Sequence, residues 1–197
     1  VYFALHLEPE VALLNFSPEF NNSMEAIIWI SKSLPSDYIL VVKEQALSYG
    51  IRSKWYYNQL TKIPNVMLAH PDIHSWNWID KSDFVSTITG TVGQESIYFK
   101  KPVLSFGKHQ IINNLPTVYF VSDYFETKKA ISSIVDNYPT NQELEHAKKA
   151  FSHAQIKSSI DVKGYKNTYG SLDLEINMAR KALDNLLYEY PDIKRVL

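Results

Sequence analysis

Residues Asp83 to Gly107, DFVSTITGTVGQESIYFKKPVLSFG, decide how the rest of the chain is read. Phe84, Val85, Thr87 and Ile88 form a short apolar and β-branched run, which Thr89-Gly90-Thr91-Val92-Gly93 breaks at a tight turn. A helix is predicted from Gln94 to Phe99. Lys101-Pro102 closes it, because proline cannot continue a helix and restricts the residue before it, and Val103 to Gly107 reads as the next buried strand. The unit is therefore strand, glycine-bearing turn, short helix, strand. In such a unit the helix N-terminus turns unpaired amides and the positive end of its dipole toward the strand ends, where an anion is stabilised. Gly90 and Gly93 let a ligand approach the backbone, Val92 offers an amide between them, and Thr89 and Thr91 add hydroxyls. The other reading is an ordinary strand-to-helix turn whose glycines serve backbone geometry alone. Neither a Walker loop nor a dinucleotide fingerprint is present, since both glycine spacings differ and no Gly-Lys-Ser/Thr follows.

A chain of 197 residues with 45% hydrophobic content fits one domain of ordinary size, or one large half of a two-domain protein. The formal net charge of -1 does not recommend nucleic acid or an anionic membrane as partner. With no cysteine, disulfides and thiolate metal sites are excluded, and a reducing, cytoplasmic setting is the expectation. No apolar run approaches the roughly 20 residues that span a bilayer, so membrane association is expected to be peripheral at most, at the inner face. No stretch reads as a signal peptide, and the opening on Val1 directly into a strand is expected of a fragment cut at a domain boundary.

Outward from the glycine turn, Val1 to Leu7 is predicted as the first core strand, ending in His6-Leu7-Glu8-Pro9-Glu10. These charged residues are either a solvated turn or ligand groups past a strand end. Asn22 or Ser23 caps a helix through Leu34, stopped by Pro35. Tyr38 to Val42 is a near-continuous apolar strand, as in a sheet covered on both faces, and delivers Lys43, Glu44 and Gln45. Lys43 is either a surface residue or the cation a phosphate would require. Arg52 to Lys62 carries Trp55, Tyr56 and Leu60 at helical spacing. Val66 to Ala69 is a further strand running into the loop His70 to Ser75, to which base contacts are assigned; the histidines lack a third ligand at a spacing that suits a metal. Trp76, Trp78 and Ile79 are expected to form the packing face of a helix over Ser75 to Lys81.

Lys108 to Thr117 reads as a loop in which His109 either reaches a ligand or stays exposed, and Val118 to Val121 as a last strand. Helices follow at Glu126 to Asn137 and at Asn141 to Ala154, the latter capped by Asn141. The expected organisation is a Rossmann-like domain over residues 1–160, with a loop and a C-terminal helix over 161–197 packing on it. Strands alternating with helices argue for an α/β fold, a parallel sheet with helices on both faces. Right-handed crossovers then bring the candidate polar groups to one edge: His6, Glu8 and Glu10; Lys43 and Glu44; His70 to Ser75; Thr89 to Glu95.

LHLEPE, VVKEQ, IPNVMLAHP and above all TITGTVGQESIYFKKPVLSFG resemble the capsular-polysaccharide biosynthesis glycosyltransferases, the group that includes the Kdo transferases of bacterial capsule export. The similarity runs from about Val1 to Gly107. It implies the C-terminal, donor-binding half of a GT-B glycosyltransferase: two Rossmann-like halves, a CMP-, UDP- or GDP-linked sugar as donor, a glycan or lipid-linked glycan as acceptor, and neither metal nor resident cofactor. Thr89, Gly90, Thr91 and Gly93 would hold the donor phosphate, with Val92 between them, Glu95 would lie near the donor ribose or sugar, and Lys43 and Glu44 match the start of the family's Lys-Glu-His-Pro pattern. His6, Gln45, His70 and Ser75 are donor-contact candidates by their place on the sheet edge, and the family's His-Pro role is not transferred to His70-Pro71, which follows a different strand. Glu8 and Glu10 are this chain's candidates for activating the acceptor hydroxyl, although such a base commonly comes from the other GT-B half, here expected to be missing. At Gln45-Ala46 the chain departs from the family's Lys-Glu-His-Pro pattern. Glutamine still donates a hydrogen bond but carries no charge. A nucleotide-sugar epimerase relative and a non-catalytic sugar-nucleotide-binding module remain as alternatives.

Overall fold

The computed structural model describes residues 1–8, 11–20, 22–45, 48, 50–70 and 72–158. The chain divides into two units, Val1–Phe151 and Ser152–Leu197, and the first carries the sheet. The expected loop and helix over 161–197 lie outside the described residues, as does Glu10.

Six strands build the sheet: β1 (Tyr2–Ala4), β2 (Leu40–Lys43), β3 (Val66–Leu68), β4 (Val85–Thr87), β5 (Val103–Ser105) and β6 (Val118–Phe120). They lie in the order β3-β2-β1-β4-β5-β6, and every neighbouring pair is parallel. The fold is a Rossmann-like α/β sheet, with its topological switch point between β1 and β4. The strands are shorter than the apolar runs read for them, although Leu5, Ala69, Phe106 and Val121, just past their strands, still donate to the neighbouring strand. β3 is the edge on one side, which is why Met67 is exposed there.

The helices are α1 (Val11–Phe16), α2 (Ser23–Ser33), α3 (Lys54–Leu60), α4 (Ser75–Lys81), α5 (Val92–Tyr98), α6 (Tyr124–Asp136) and α7 (Asn141–Ser158). Side chains alternate across the sheet, so neighbouring residues of β1 serve opposite cores. Phe3 joins Leu40, Val42 and Leu104 beneath Ile27 and Ile30 of α2, Leu60 of α3 and Ile131 and Ile134 of α6. Tyr2 faces the other way, with Val41 and Val85 beneath Ile79 of α4 and Val92 of α5. A third cluster joins Ile97 of α5 to Val103, Val118 and Phe151 of α7.

Local chemistry sets the helix ends. Asn22 caps α2 by accepting from Met24 N at 2.9 Å, and Leu34 stops it in an extended conformation before Pro35. The cap of α7 is Thr140 rather than Asn141: Thr140 Oγ1 accepts from Glu143 N at 3.3 Å while Glu143 Oε2 accepts from Thr140 N at 2.8 Å, a reciprocal capping box. Three further expectations are corrected. α1 and the 3-10 turn Pro18–Phe20 stand where no element was read, and the presumed loop after Gly107 contains a 3-10 turn, Ile111–Asn114, that buries Ile112. Trp76 is not part of a packing face. It is 53% exposed, whereas Ile79 one turn on is fully buried.

Gly107 ends the β5 segment where the chain passes close to β4. A Cβ there would lie 2.2 Å from Ile88 O, a backbone atom that cannot move alone. Gly107→Ala is expected to lower the unfolding free energy by about 1–3 kcal/mol, as overpacking does, read as a reduced denaturant midpoint with unchanged slope.

Candidate functional site

A cleft of about 570 Å³ opens beyond the carboxyl ends of the central strands, at the switch point between β1 and β4. An open parallel sheet leaves such a crevice because the connections on either side of the switch run in opposite directions. β1 delivers Leu5 and His6 to it, β2 delivers Lys43, Glu44 and Gln45, and the turn after β4 delivers Thr89, Gly90, Thr91 and Val92. Ser75 at the start of α4 and Glu95 in α5 also line it, joined by Asp72, Ile73 and His74 of the loop after β3. β1 lies between β2 and β4, so Lys43 is not on the strand next to the glycine turn, yet both border the same hollow.

His6 is 5% exposed and accepts the Ile88 N–H at Nε2 over 3.2 Å. That bond leaves the neutral ring protonated at Nδ1. Burial, with a smaller contribution from the Arg52 guanidinium and against the pull of Glu8, lowers the His6 pKa to about 4. At neutral pH the ring is therefore an uncharged hydrogen-bonding group.

Lys43 is 8% exposed, and the one hydrogen bond of its ammonium among the described residues is a long 3.5 Å contact to Glu44 O. A nearly buried ammonium so weakly satisfied favours an anion beside it. Thr89 Oγ1 is likewise buried without a partner among the described residues. In the glycine turn, Gly90 N–H is taken by Thr87 Oγ1 at 2.9 Å and Gly93 N–H by Gly90 O at 3.2 Å. Those two amides are thus committed, leaving Thr91 and Val92 to head α5, where no acceptor stands one turn back. Thr91 Oγ1 donates to Glu95 Oε1 at 3.4 Å, and Trp76 Nε1 donates to Glu95 Oε2 at 3.0 Å, which holds this carboxylate at the rim. Ser75 Oγ accepts from Tyr2 OH at 3.2 Å.

Several candidates fall elsewhere. Gly93 is a packing glycine: a Cβ would meet Ile112 Cδ1 at 2.8 Å and Thr87 Cγ2 at 2.9 Å, so its role is to seat α5 on β4. Gly90 lets the turn close on His6, whose Cε1 lies 2.9 Å from where its Cβ would be. His70 is exposed, apart from the cleft, and accepts from Asp72 N at 3.3 Å. Glu8 is turned away from the cleft. It accepts from Ser23 N at 2.9 Å at the head of α2 and pairs with Arg52 Nη1 at 2.7 Å.

Arg52 is the site residue that the sequence reading missed. Its Nε pairs with Glu44 Oε2 at 2.8 Å, its Nη1 with Glu8 and its Nη2 with His6 O at 2.5 Å. Glu44 further accepts from Tyr57 OH at 2.6 Å and from Gln45 N at 2.9 Å, so this carboxylate is structural although it borders the cleft. Opposite charges one turn or two strands apart in a sequence carry no mark of such a meeting. Among the described residues no group of three or more His, Asp or Glu side chains is placed to hold a metal ion, and no helix is long and apolar enough to cross a membrane.

Arg52→Ala leaves the buried Glu44 and the half-buried Glu8 without their cation and is expected to cost about 3–5 kcal/mol; Arg52→Lys keeps the charge, loses the fork and falls between. Chemical denaturation measures both. For His6, the unfolded chain takes up a proton below the ordinary value near 6.5 while the folded chain does not until about pH 4. Stability therefore falls as pH drops through that window, by up to about 1.4 kcal/mol per pH unit. His6→Gln is expected to remove that part of the slope in urea melts taken from pH 7 to pH 5.

The model of the capsule polysaccharide biosynthesis protein family matches residues 21–111, a little under half of the chain. This span holds Lys43, the His70 to Ser75 loop and the glycine turn, and leaves LHLEPE outside it. No curated protein matches the chain. Among solved structures it is similar to the S. aureus MnaA-UDP co-structure, with 18% identity, a TM-score of 0.49, and coverage of 86% of this chain and 46% of that one. A second is a putative UDP-N-acetylglucosamine 2-epimerase from Listeria monocytogenes, with 16% identity, a TM-score of 0.49, and coverage of 85% and 44%. The chain thus spans less than half the length of either structure. Over residues 21–111 it is similar to capsule polysaccharide biosynthesis proteins.

Proposed function

We propose that the cleft binds the phosphates of a nucleotide-sugar donor, and that the chain is the donor-binding half of a GT-B glycosyltransferase acting in capsular or other surface polysaccharide synthesis. The observation that carries this reading is the meeting, at the switch point, of a nearly buried ammonium with no carboxylate partner among the described residues and an orphaned buried hydroxyl. The family match supplies the biosynthetic context.

In this reading Lys43 neutralises the donor phosphates, helped by Thr89, Thr91 and the first amides of α5, while the uncharged His6 ring lines the cleft beside them. Transfer breaks the bond between the sugar anomeric carbon and the phosphate oxygen and forms one to the acceptor oxygen. The departing nucleotide carries the negative charge that Lys43 stabilises. Glu95 holds the ribose or sugar hydroxyls at the rim, and Asp72 to Ser75 border the base. Glu8 is committed to Arg52 and to the head of α2, so the base that takes the acceptor proton is assigned to the other half of the enzyme. No metal or cofactor is required for these roles, because Lys43 supplies the positive charge.

Calorimetric titration with CMP-, UDP- and GDP-sugars is expected to show binding of one class, unchanged by EDTA. Lys43→Met is expected to weaken it at least tenfold, the loss of one charge-assisted contact. Thr89→Val is expected to weaken it severalfold without destabilising the free protein, since it removes a hydroxyl that has no partner among the described residues. Unchanged affinity in both variants overturns the phosphate site. With the other half and an acceptor glycan supplied, a glycosylated product supports transfer; an epimerised sugar nucleotide formed without acceptor would place the chain with epimerases instead.

A further inference from the structure

A second cavity, of about 240 Å³, lies on the far side of Arg52 and shares no lining residue with the cleft. Two of its lining residues carry buried hydroxyls in an unusual state. Tyr56 is 8% exposed and Ser48 is 2% exposed, and neither Tyr56 OH nor Ser48 Oγ has a hydrogen-bond partner among the described residues. A buried hydroxyl left so costs about 1–3 kcal/mol, and two such groups on one small cavity point to something that satisfies them.

The remaining walls say what that is. Ile51 and Trp55 stand at the mouth, 65% and 66% exposed, and offer a broad apolar face. Arg52 also borders the cavity, with its guanidinium 4.6 Å from the Tyr56 ring centroid, but Nε, Nη1 and Nη2 all donate within the protein and its charge is answered by Glu8 and Glu44 together. Arg52 and Glu8 offset each other on this wall, and with Nε, Nη1 and Nη2 already donating no positive charge is left over to hold an anion. Burial, first, and the neighbouring Glu8 raise the Tyr56 pKa, so its hydroxyl keeps its proton and can donate.

We propose that this cavity binds one neutral pyranose ring, with an apolar C–H face laid on Trp55 and ring hydroxyls bonded to Tyr56 OH and Ser48 Oγ. A pyranose combines these two demands in one small molecule: hydroxyls around its edge and a C–H face that packs on an aromatic ring. The volume is below the roughly 300–1000 Å³ of sites for drug-sized ligands, which suits a single ring and is too small for a nucleotide sugar. The site makes no use of Lys43 or the glycine turn, and so stands apart from donor binding.

The test is an NMR titration of the full chain with glucose and N-acetylglucosamine, using inorganic phosphate and N-acetylneuraminic acid as anionic controls. The Trp55 indole N–H resonance is expected to move with the neutral sugars and not with the anions. Trp55→Ala is expected to weaken neutral-sugar binding at least tenfold. Tyr56→Phe keeps the ring under Arg52, is expected to weaken it severalfold, and leaves thermal stability equal or higher because an orphaned hydroxyl is gone. Both variants are expected to bind nucleotide sugars like the parent chain. The proposal is overturned if no resonance around the cavity moves up to about 100 mM sugar, a limit weaker than any useful affinity. Equal sugar affinity in both variants, or tighter binding of the anions, overturns it as well.

Discussion

The Arg52 guanidinium is the interaction on which the working edge of this sheet depends. It ties the end of β1, through His6 O and Glu8, to the end of β2, through Glu44, and Glu8 in turn holds the head of α2. Three segments that leave the sheet in different directions are thereby fixed by one planar fork whose geometry matches two carboxylates. Such a cluster need not add net stability over an apolar alternative, since desolvating its charges is costly. What it fixes is position, and the position of the β1 and β2 ends defines the cleft.

Two hollows flank this clamp and differ in charge. On one side lies the cleft, where Lys43 and an unpartnered Thr89 hydroxyl meet the start of α5. On the other lies a smaller cavity whose one cation, Arg52, is already paired with Glu8 and whose exposed apolar residues are Trp55 and Ile51. The sorting follows from where the carboxylates are spent. Glu8 and Glu44 are both drawn to Arg52, and this leaves Lys43, next to Arg-bound Glu44 in the chain, as the ammonium that the cleft retains.

Much of this was legible in local patterns. The strand-turn-helix-strand unit at Asp83 to Gly107, the Asn22 cap and the span of α4 all follow from apolar runs, glycine, proline and capping side chains, whose effects reach only a few residues. The convergence of His6, Lys43 and the glycine turn on one edge was legible too, because right-handed crossovers leave a parallel sheet little choice. What failed were assignments that needed partners. Glu8 read as an acid near the chemistry and is a salt-bridge partner; Gly93 read as a phosphate contact and is pressed against Ile112; Trp76 read as core and stands at the rim beside Glu95. Arg52 drew no notice, because nothing around it in sequence shows that Glu8, 44 residues away, lies 2.7 Å from its Nη1.

Sequence alone therefore determined the class of fold, the edge at which polar groups gather and the resemblance carried by the glycine-turn block, because periodicity, turn chemistry and crossover handedness act locally or by general rule. Only the tertiary structure decided which of those polar groups are available. Availability depends on which carboxylate reaches which cation first, and on whether a glycine's missing Cβ faces a ligand space or a neighbouring side chain, and both are set by contacts between segments far apart in the chain.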